Sequence, residues 1–235
     1  MKVKIFITGI PILLALVLSS CFSGMFKKST YQKTALTKND SALLAKEKTY
    51  TDALKLNAKD ASAYYGRANC RMEMGDHNVG NYATDYHYAR AAKDYKKAIK
   101  LNPARYNDTA YYMIGVATMH FFSTANRTNG YPSARKKFSK VINVNPKYAA
   151  AYFQRGKCLI ELGKLKEAID DLNKVIELDP ILAPKAYYYR GNCKYEPRGL
   201  NFTDKRDKEG ACKDWAKANM LGYYAAQVQI EHFCR

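Results

Sequence analysis

An internal repeat of 34 residues constrains this chain more than any other feature of its sequence. Pro146 and Pro180 lie 34 positions apart and close the similar phrases VINVNP and VIELDP. KAIKLNP, which ends at Pro103, is a third copy, and DALKLNA, which ends at Ala58, is a fourth with alanine in place of proline. Because proline cannot continue a helix, these phrases predict helix ends. A period of this length indicates a stack of repeats.

A second phrase recurs earlier in each unit and predicts a partner helix. Its copies are AYYGRANC, AYYMIG, AYFQRGKC and AYYYRGNC, which begin at Ala63, Ala110, Ala151 and Ala186. In the third unit the small residues Gly156 and Ala168 would let the two helices approach closely. Tyr152 and Leu172 would fill the space beside them. Each unit is therefore predicted to be a pair of packed helices.

These phrases resemble the tetratricopeptide repeat (TPR). The third unit is nearly the family consensus at Tyr152, Gly156, Leu159, Gly163, Ala168, Leu172 and Pro180. The resemblance implies an all-α fold: an α-solenoid of about four TPR helix-turn-helix repeats over residues 41–235, closed by a C-terminal capping helix from Tyr224 to Cys234. The final phrase also resembles the related Sel1-like repeats and small exported proteins of Bacteroidetes-type bacteria.

The units differ between their paired helices. Extra residues lie between Gly75 and Ala91, around Ser123 to Pro132, and from Pro197 to Lys208. Lengthened turns of this kind project from one rim of a solenoid, where insertions are tolerated and often carry binding.

The N-terminus has the layout of a lipoprotein signal. Two lysines precede an apolar run from Ile5 to Leu18, shorter than the roughly 20 apolar residues that span a bilayer comfortably. The ending LSSC resembles a lipobox, whose cysteine is acylated after cleavage. We expect a lipoprotein signal peptide in residues 1–20, a palmitate-type anchor at Cys21, and a flexible tether over residues 21–40. An ordinary secretory peptide and a retained membrane anchor are the alternatives.

Location and charge narrow the expected partners. Phe22, where aspartate would resemble an inner-membrane retention signal, favours the outer membrane of a cell envelope with two membranes. The net charge of +18 suggests anionic neighbours, and export argues against nucleic acid. Between Asp108 and Glu161 no residue is acidic, but eight are basic: Arg127, Arg135, Lys136, Lys137, Lys140, Lys147, Arg155 and Lys157. This block is either a solvated helix face or an anion-binding surface.

Few residues suggest catalysis. The histidines His77, His87, His120 and His232 have no partners at metal-ligand spacing, and no phosphate-binding glycine loop or serine elbow is present. Asp170 and Asp171 are predicted to be solvated on the exposed side of a second helix. We therefore expect no enzyme, no catalytic residue, no metal and no cofactor.

The cysteines divide by repeat position. Cys70, Cys158 and Cys193 share one position, which Ala117 occupies in the second unit. They are predicted to be buried thiols outside any disulfide, because cysteine behaves as a small apolar residue. Cys212 and Cys234 lie on two helices that could pack together, so a disulfide and two free thiols are both open for that pair.

The resemblance also implies a binding groove, because first helices line the concave side of a TPR stack. The predicted partner-binding residues are Tyr65, Asn69, Met72, Tyr112, Val116, Met119, Phe153, Lys157, Ile160, Tyr188, Asn192 and Tyr195. The aromatic members could instead merely pack between neighbouring helices. We expect a membrane-tethered adaptor that binds a protein or peptide partner, with binding of anionic polysaccharide or lipid phosphate by the basic surface as the alternative.

Overall fold

The structure, a computed structural model, describes residues 38–77, 84–124, 130–195 and 207–235. The predicted signal peptide, Cys21 and most of the predicted tether lie outside the described residues. The described ranges contain ten helices and no strand: α1 (Lys38–Leu56), α2 (Ala61–Asp76), α3 (Thr84–Leu101), α4 (Pro103–Thr124), α5 (Gly130–Val144), α6 (Ala149–Glu161), α7 (Leu165–Leu178), α8 (Ala183–Tyr195), α9 (Lys208–Met220) and α10 (Ala226–Phe233). The all-α class is confirmed for these ranges. Helix α1 begins at Lys38, inside the segment predicted to be a tether.

The helices pair as the repeat predicts. Repeats 1 to 4 are α2 with α3, α4 with α5, α6 with α7, and α8 with α9, and each helix packs mainly on its chain neighbours. The phrase DALKLNA lies at the end of helix α1, as the matching phrases lie at the ends of the second helices. Helix α10 packs on α9 as the predicted cap. The prediction of about four repeats with a capping helix is therefore confirmed.

Within each repeat a small residue on the first helix faces a large one on the second. The pairs are Ala68 with Tyr95, Gly115 with Phe138, Gly156 with Leu172, and Gly191 with Trp215, and all eight are buried. A Cβ added to Gly115 would lie 2.6 Å from the Phe138 ring, and one on Gly191 would lie 2.7 Å from Trp215 Nε1. A Cβ on Gly156 would lie 3.6 Å from Leu172, which is ordinary contact. The Phe138 and Trp215 crossings therefore exclude a methyl group that the Leu172 crossing admits.

The prediction that Asp170 and Asp171 are both solvated is wrong for Asp171, which is only 4% exposed. Its carboxylate accepts hydrogen bonds from Arg155 Nε at 2.8 Å and from an Arg155 terminal nitrogen at 2.6 Å. This bond raises the pKa of Arg155, so the guanidinium stays charged. Equivalent pairs join Arg67 to Asp94 and Arg190 to Asp214. The carboxylate is buried because it faces the first helix of its own repeat.

Repeat 2 lacks this ion pair. Ile114, which is buried, occupies the arginine position, and Lys137, which is half-buried, occupies the aspartate position. Burial lowers the pKa of Lys137, and the neighbouring ammonium groups of Lys140, Lys96 and Lys136 lower it further. Repeat 2 thus has an apolar residue and a positively charged residue where the other three repeats have an ion pair.

The C-terminal end is held by a covalent link. Cys212 of α9 and Cys234, just after α10, form a disulfide with their Cα atoms 5.7 Å apart. Phe233 packs beside the link, its ring centroid 4.6 Å from that of Tyr195. The prediction that Cys70, Cys158 and Cys193 are buried thiols outside any disulfide is confirmed.

Candidate functional site

The aromatic row on the first helices joins one repeat to the next. Ring centroids lie 4.8 Å apart for Tyr65 and Tyr106, 5.2 Å for Tyr112 and Tyr148, 5.6 Å for Phe153 and Tyr189, and 5.1 Å for Tyr188 and Tyr223. In three of these pairs the second ring stands at or near the start of the helix that follows the repeat, which is α4, α6 or α10. Such contacts add to the burial of apolar area between repeats. The row therefore stabilises the stack, as the packing alternative expects.

Two of the predicted partner-binding residues are core residues. Met72 is 4% exposed and Phe153 is 8% exposed, and each belongs to a buried apolar cluster. Their assignment to a binding surface is corrected, because neighbouring repeats cover them. Ile160 and Tyr195 are half-buried, and Tyr195 also packs against Trp215 with ring centroids 5.5 Å apart.

Two further predicted residues, Asn69 and Asn192, accept hydrogen bonds in the cores of repeats 1 and 4. Tyr95 donates its hydroxyl hydrogen bond to Asn69 Oδ1 at 2.6 Å, and Trp215 Nε1 donates to Asn192 Oδ1 at 2.9 Å. An unpaired buried donor would be costly, so each asparagine satisfies the aromatic residue opposite it.

Repeats 2 and 3 have other residues at these two positions. Phe138 and Leu172 replace the polar aromatic residues and need no hydrogen bond. The position of the asparagine is taken by Val116 in repeat 2 and Lys157 in repeat 3. No buried donor therefore needs a hydrogen bond to these two side chains, and they are available to contact a ligand at the surface.

A pocket of about 250 Å³ lies at this place, between repeats 2 and 3. Three of its lining residues, Val116, Met119 and Lys157, belong to the predicted set. The full lining is Val116, Met119 and His120 of α4, Tyr131 of α5, and Gln154, Lys157 and Glu161 of α6. The structure thus gathers part of the predicted groove into one concave site and leaves the rest to packing.

Sequence reasoning missed Gln154 and Tyr131 as site residues. Tyr131 lies within the lengthened turn segment around Ser123 to Pro132, which was the available signal. Gln154 adjoins Phe153 on α6, and only the geometry of two neighbouring repeats brings it to the pocket.

The pocket has an apolar floor. Met119 Sδ lies 3.6 Å from Cys158 Sγ, and Cys158 is fully buried behind it. Burial raises the pKa of the Cys158 thiol to about 12, so the group remains a neutral, apolar part of the floor at physiological pH. A thiol of this kind does not act as a nucleophile.

Polar groups line the rim. Burial, with the nearby Glu161, raises the pKa of Tyr131, so its hydroxyl remains protonated and can donate a hydrogen bond. Lys157 and Glu161 stand one turn apart on α6 and supply a cation and an acceptor. An apolar floor with a few directional polar groups at its edge is typical of a recognition site.

Among the residues that the structure describes, no three His, Cys, Asp or Glu side chains form a group that could hold a metal ion. Within the same residues, no helix combines the length and apolar character needed to cross a bilayer.

Comparison with known proteins agrees with this architecture. Residues 149–181, which span repeat 3, match the family described as tetratricopeptide repeat. The chain is 46% identical over 50 residues to Hsp70-Hsp90 organizing protein 1 of Glycine max and 30% identical over 131 residues to tetratricopeptide repeat protein 6 of Homo sapiens. These matches cover 21% and 56% of this chain but only 9% and 21% of the relatives.

A solved structure extends the likeness to nearly the whole chain. The crystal structure of YrrB, described as a TPR protein with an unusual peptide-binding site, matches with a TM-score of 0.58 and 22% sequence identity. The match covers 94% of this chain and 90% of YrrB. The fold is therefore a TPR solenoid.

Proposed function

We propose that this protein is a membrane-tethered adaptor of the cell envelope that binds an extended segment of a partner protein on its first helices. One side chain of that segment would enter the pocket between repeats 2 and 3. The observation that carries the proposal is this pocket, whose lining comes from the first helices of adjacent repeats, α4 and α6, together with Tyr131 of α5. Its volume of about 250 Å³ suits one large side chain and lies below the roughly 300–1,000 Å³ usual for small-molecule sites.

The chemistry of the rim supports a peptide ligand. A peptide in extended conformation presents both N–H donors and carbonyl acceptors beside each side chain. Tyr131, Gln154 and Lys157 can donate to its carbonyl groups, while Glu161 can accept from its N–H groups. The names of two similar proteins also concern protein assembly or peptide binding, which supports the same class of partner.

Selection from a displayed library of random peptides tests this proposal and does not require the native partner. Peptides that bind the full chain should lose at least about tenfold in affinity, about 1.4 kcal/mol, when Val116→Phe fills the pocket or Lys157→Glu reverses its charge. Lys174→Glu, an exposed lysine on α7, is the matched control and should leave affinity unchanged. Peptides that bind all these folded proteins equally well would contradict the proposal.

The membrane tether is part of the proposal and rests on the N-terminal sequence. Acylation of Cys21 would hold the repeats at a membrane, and Phe22 favours the outer membrane. Growth with a labelled fatty acid should mark the native protein and fail to mark Cys21→Ser. Cys158→Ala should be labelled like the native protein, and label that persists in Cys21→Ser would remove the tether from the account.

A further inference from the structure

Lysines accumulate on the outer side of the second helices of repeats 1 and 2. We call this surface the lysine face: Lys93, Lys96, Lys97 and Lys100 of α3, with Lys136, Lys137 and Lys140 of α5. All are exposed except Lys137, which is half-buried. They lie outside the buried faces that Tyr95 and Phe138 form on α3 and α5, with Lys137 at the edge of that face. The lysine face therefore points away from the pocket, to which α5 contributes from its inner side.

In the parts of the chain that the structure describes, no carboxylate pairs with these lysines. Helix α5 has no acidic residue, and Asp94 of α3 is buried between Arg67 and Arg71. Three exposed lysines on other helices are paired locally: Lys55 with Asp52 at 2.7 Å, Lys174 with Glu177 at 2.8 Å, and Lys213 with Glu209 at 2.6 Å. The lysine face thus lacks the local carboxylate partners that these three lysines have.

Lysines of the two helices act on one another electrostatically. Lys96 of α3 lies close enough to Lys137 of α5 to lower its pKa, together with burial and two lysines of α5 itself. Lys137 also stands where the other three repeats have a paired aspartate. Like charges held together in this way repel one another unless an external anion approaches them.

We propose that the lysine face is a docking surface for the anionic headgroups of a phospholipid bilayer. A bilayer presents its phosphates as a broad planar array, and an open face on two neighbouring second helices can meet many of them at once. Lysine suits this role because its ammonium group is a compact charge on a flexible stem that follows mobile headgroups. The inference goes beyond the proposed peptide binding, and its failure would leave that proposal intact.

A polysaccharide fits this surface less well. Sugar hydroxyls require acceptors as well as donors, and the lysine face consists of donors alone. The neighbouring ring of Tyr111 is already covered by Lys140, whose Nζ lies 5.0 Å from the ring centroid. The charges also lie on exposed helix surfaces rather than in a cleft that would enclose a chain.

Acylation of lysines by an amine-reactive reagent tests the proposal on the full chain. The protein is reconstituted into vesicles of phosphatidylcholine alone or with about one third phosphatidylglycerol, and labelling is followed at each lysine by mass spectrometry. Each lysine near an anionic surface contributes about 1 kcal/mol, so the lysine face should react at least about fivefold more slowly on the anionic vesicles. Lys55, Lys174 and Lys213 should react alike on both, and high salt should abolish the protection.

Two matched triple variants identify the surface responsible. The first changes Lys97, Lys136 and Lys140 to glutamine, and the second changes Lys174, Lys213 and Lys217, which occupy the equivalent repeat positions in repeats 3 and 4. Both remove the same charge from exposed helix positions. Protection of Lys93 and Lys96 should disappear in the first variant and persist in the second. Equal labelling on both vesicle types, or equal loss in both folded variants, would overturn the proposal.

Competing polymers distinguish a lipid bilayer from a soluble polyanion as the ligand of the lysine face. Inorganic polyphosphate or alginate is added to the protein on neutral vesicles, and labelling is repeated. Protection by anionic vesicles, with weaker protection by the free polymers, supports lipid docking. Protection by either polymer without protection by anionic vesicles would assign the face to that soluble polyanion and overturn the lipid proposal.

Discussion

Repeats 2 and 3 share one backbone plan but stabilise it differently. Repeat 3 joins its helices through Arg155 and the buried Asp171, whereas repeat 2 places Ile114 and Lys137 at those positions. The helices of repeat 2 still cross closely, because Phe138 packs against Gly115. The ion pair is therefore one of two arrangements that hold the helices of a repeat together, in line with the observation that apolar residues can replace buried ion pairs at little cost. In repeat 2 the alternative solution leaves a charge available at the surface.

The strongest test of this comparison is removal of the buried carboxylate. Asp171→Ala should lower the free energy of unfolding by about 2–4 kcal/mol, because it leaves Arg155 partly buried without its partner. Asp170→Ala, next to it but exposed, should change stability by about 0.5 kcal/mol or less. Lys137→Ala in repeat 2 should cost nothing comparable, since it relieves repulsion and breaks no pair. Urea denaturation measures all three, and equal losses for Asp171→Ala and Lys137→Ala would break the comparison.

The Cys212–Cys234 disulfide stabilises repeat 4 by a covalent link, whereas the buried cysteines of the first helices form no disulfide. Repeat 4 packs against the short helix α10, and the Cys212–Cys234 link restricts the unfolded chain over a separation of 22 residues. The chain-entropy relation gives about 3 kcal/mol for a loop of this size. Cys212→Ser should lose about that amount, while Cys193→Ala, at a buried thiol outside the disulfide, should lose less. Thiol counting that finds both Cys212 and Cys234 reactive in the native protein would contradict the link.

The glycines at the helix crossings should respond according to the residue opposite them. Gly115→Ala and Gly191→Ala would force a methyl group against Phe138 or Trp215 and should cost about 1–3 kcal/mol. Gly156→Ala, opposite Leu172, should be neutral or stabilise by up to about 1 kcal/mol because alanine favours the helix. Gly156→Leu should still overpack the crossing. Thermal unfolding of the series checks the order, and an equal loss for all three alanine variants would contradict it.

The smallest effect is expected at Cys158. Cys158→Ala should cost about 1 kcal/mol or less near neutral pH, since alanine already fills the equivalent site at Ala117. The folded thiol has a pKa of about 12, above its unfolded value, so it contributes stability below about pH 9 that is lost as pH rises towards 12. The difference in stability between the native protein and Cys158→Ala should shift against the native protein over that range. A difference that is independent of pH would show that the thiol titrates alike in both states.

The helices and their pairing could be predicted from the sequence because proline stops and small-large crossings are local signals. Asp171 could not be assigned from its own helix, because its burial depends on Arg155, which is 16 residues upstream. The available signal was the joint recurrence of arginine and aspartate in three of four units. Met72 and Met119 occupy the same repeat position but differ in burial, which depends on neighbouring repeats. A single repeat phrase was therefore enough to predict the groove, but it could not distinguish the groove residues that are exposed to a ligand from those that are buried by neighbouring repeats.

Methyl NMR of the methionines tests whether repeats 2 and 3 form the binding site, because these residues report on the pocket and on the core at once. The protein is labelled with ¹³C at its methionine methyl groups and titrated with a peptide selected on the full chain. We predict a saturable shift of the signal of Met119, which lines the pocket, while the signals of the buried Met72 and Met74 stay unchanged. A peptide that binds while the Met119 signal stays in place would contradict the claim that repeats 2 and 3 form the binding site.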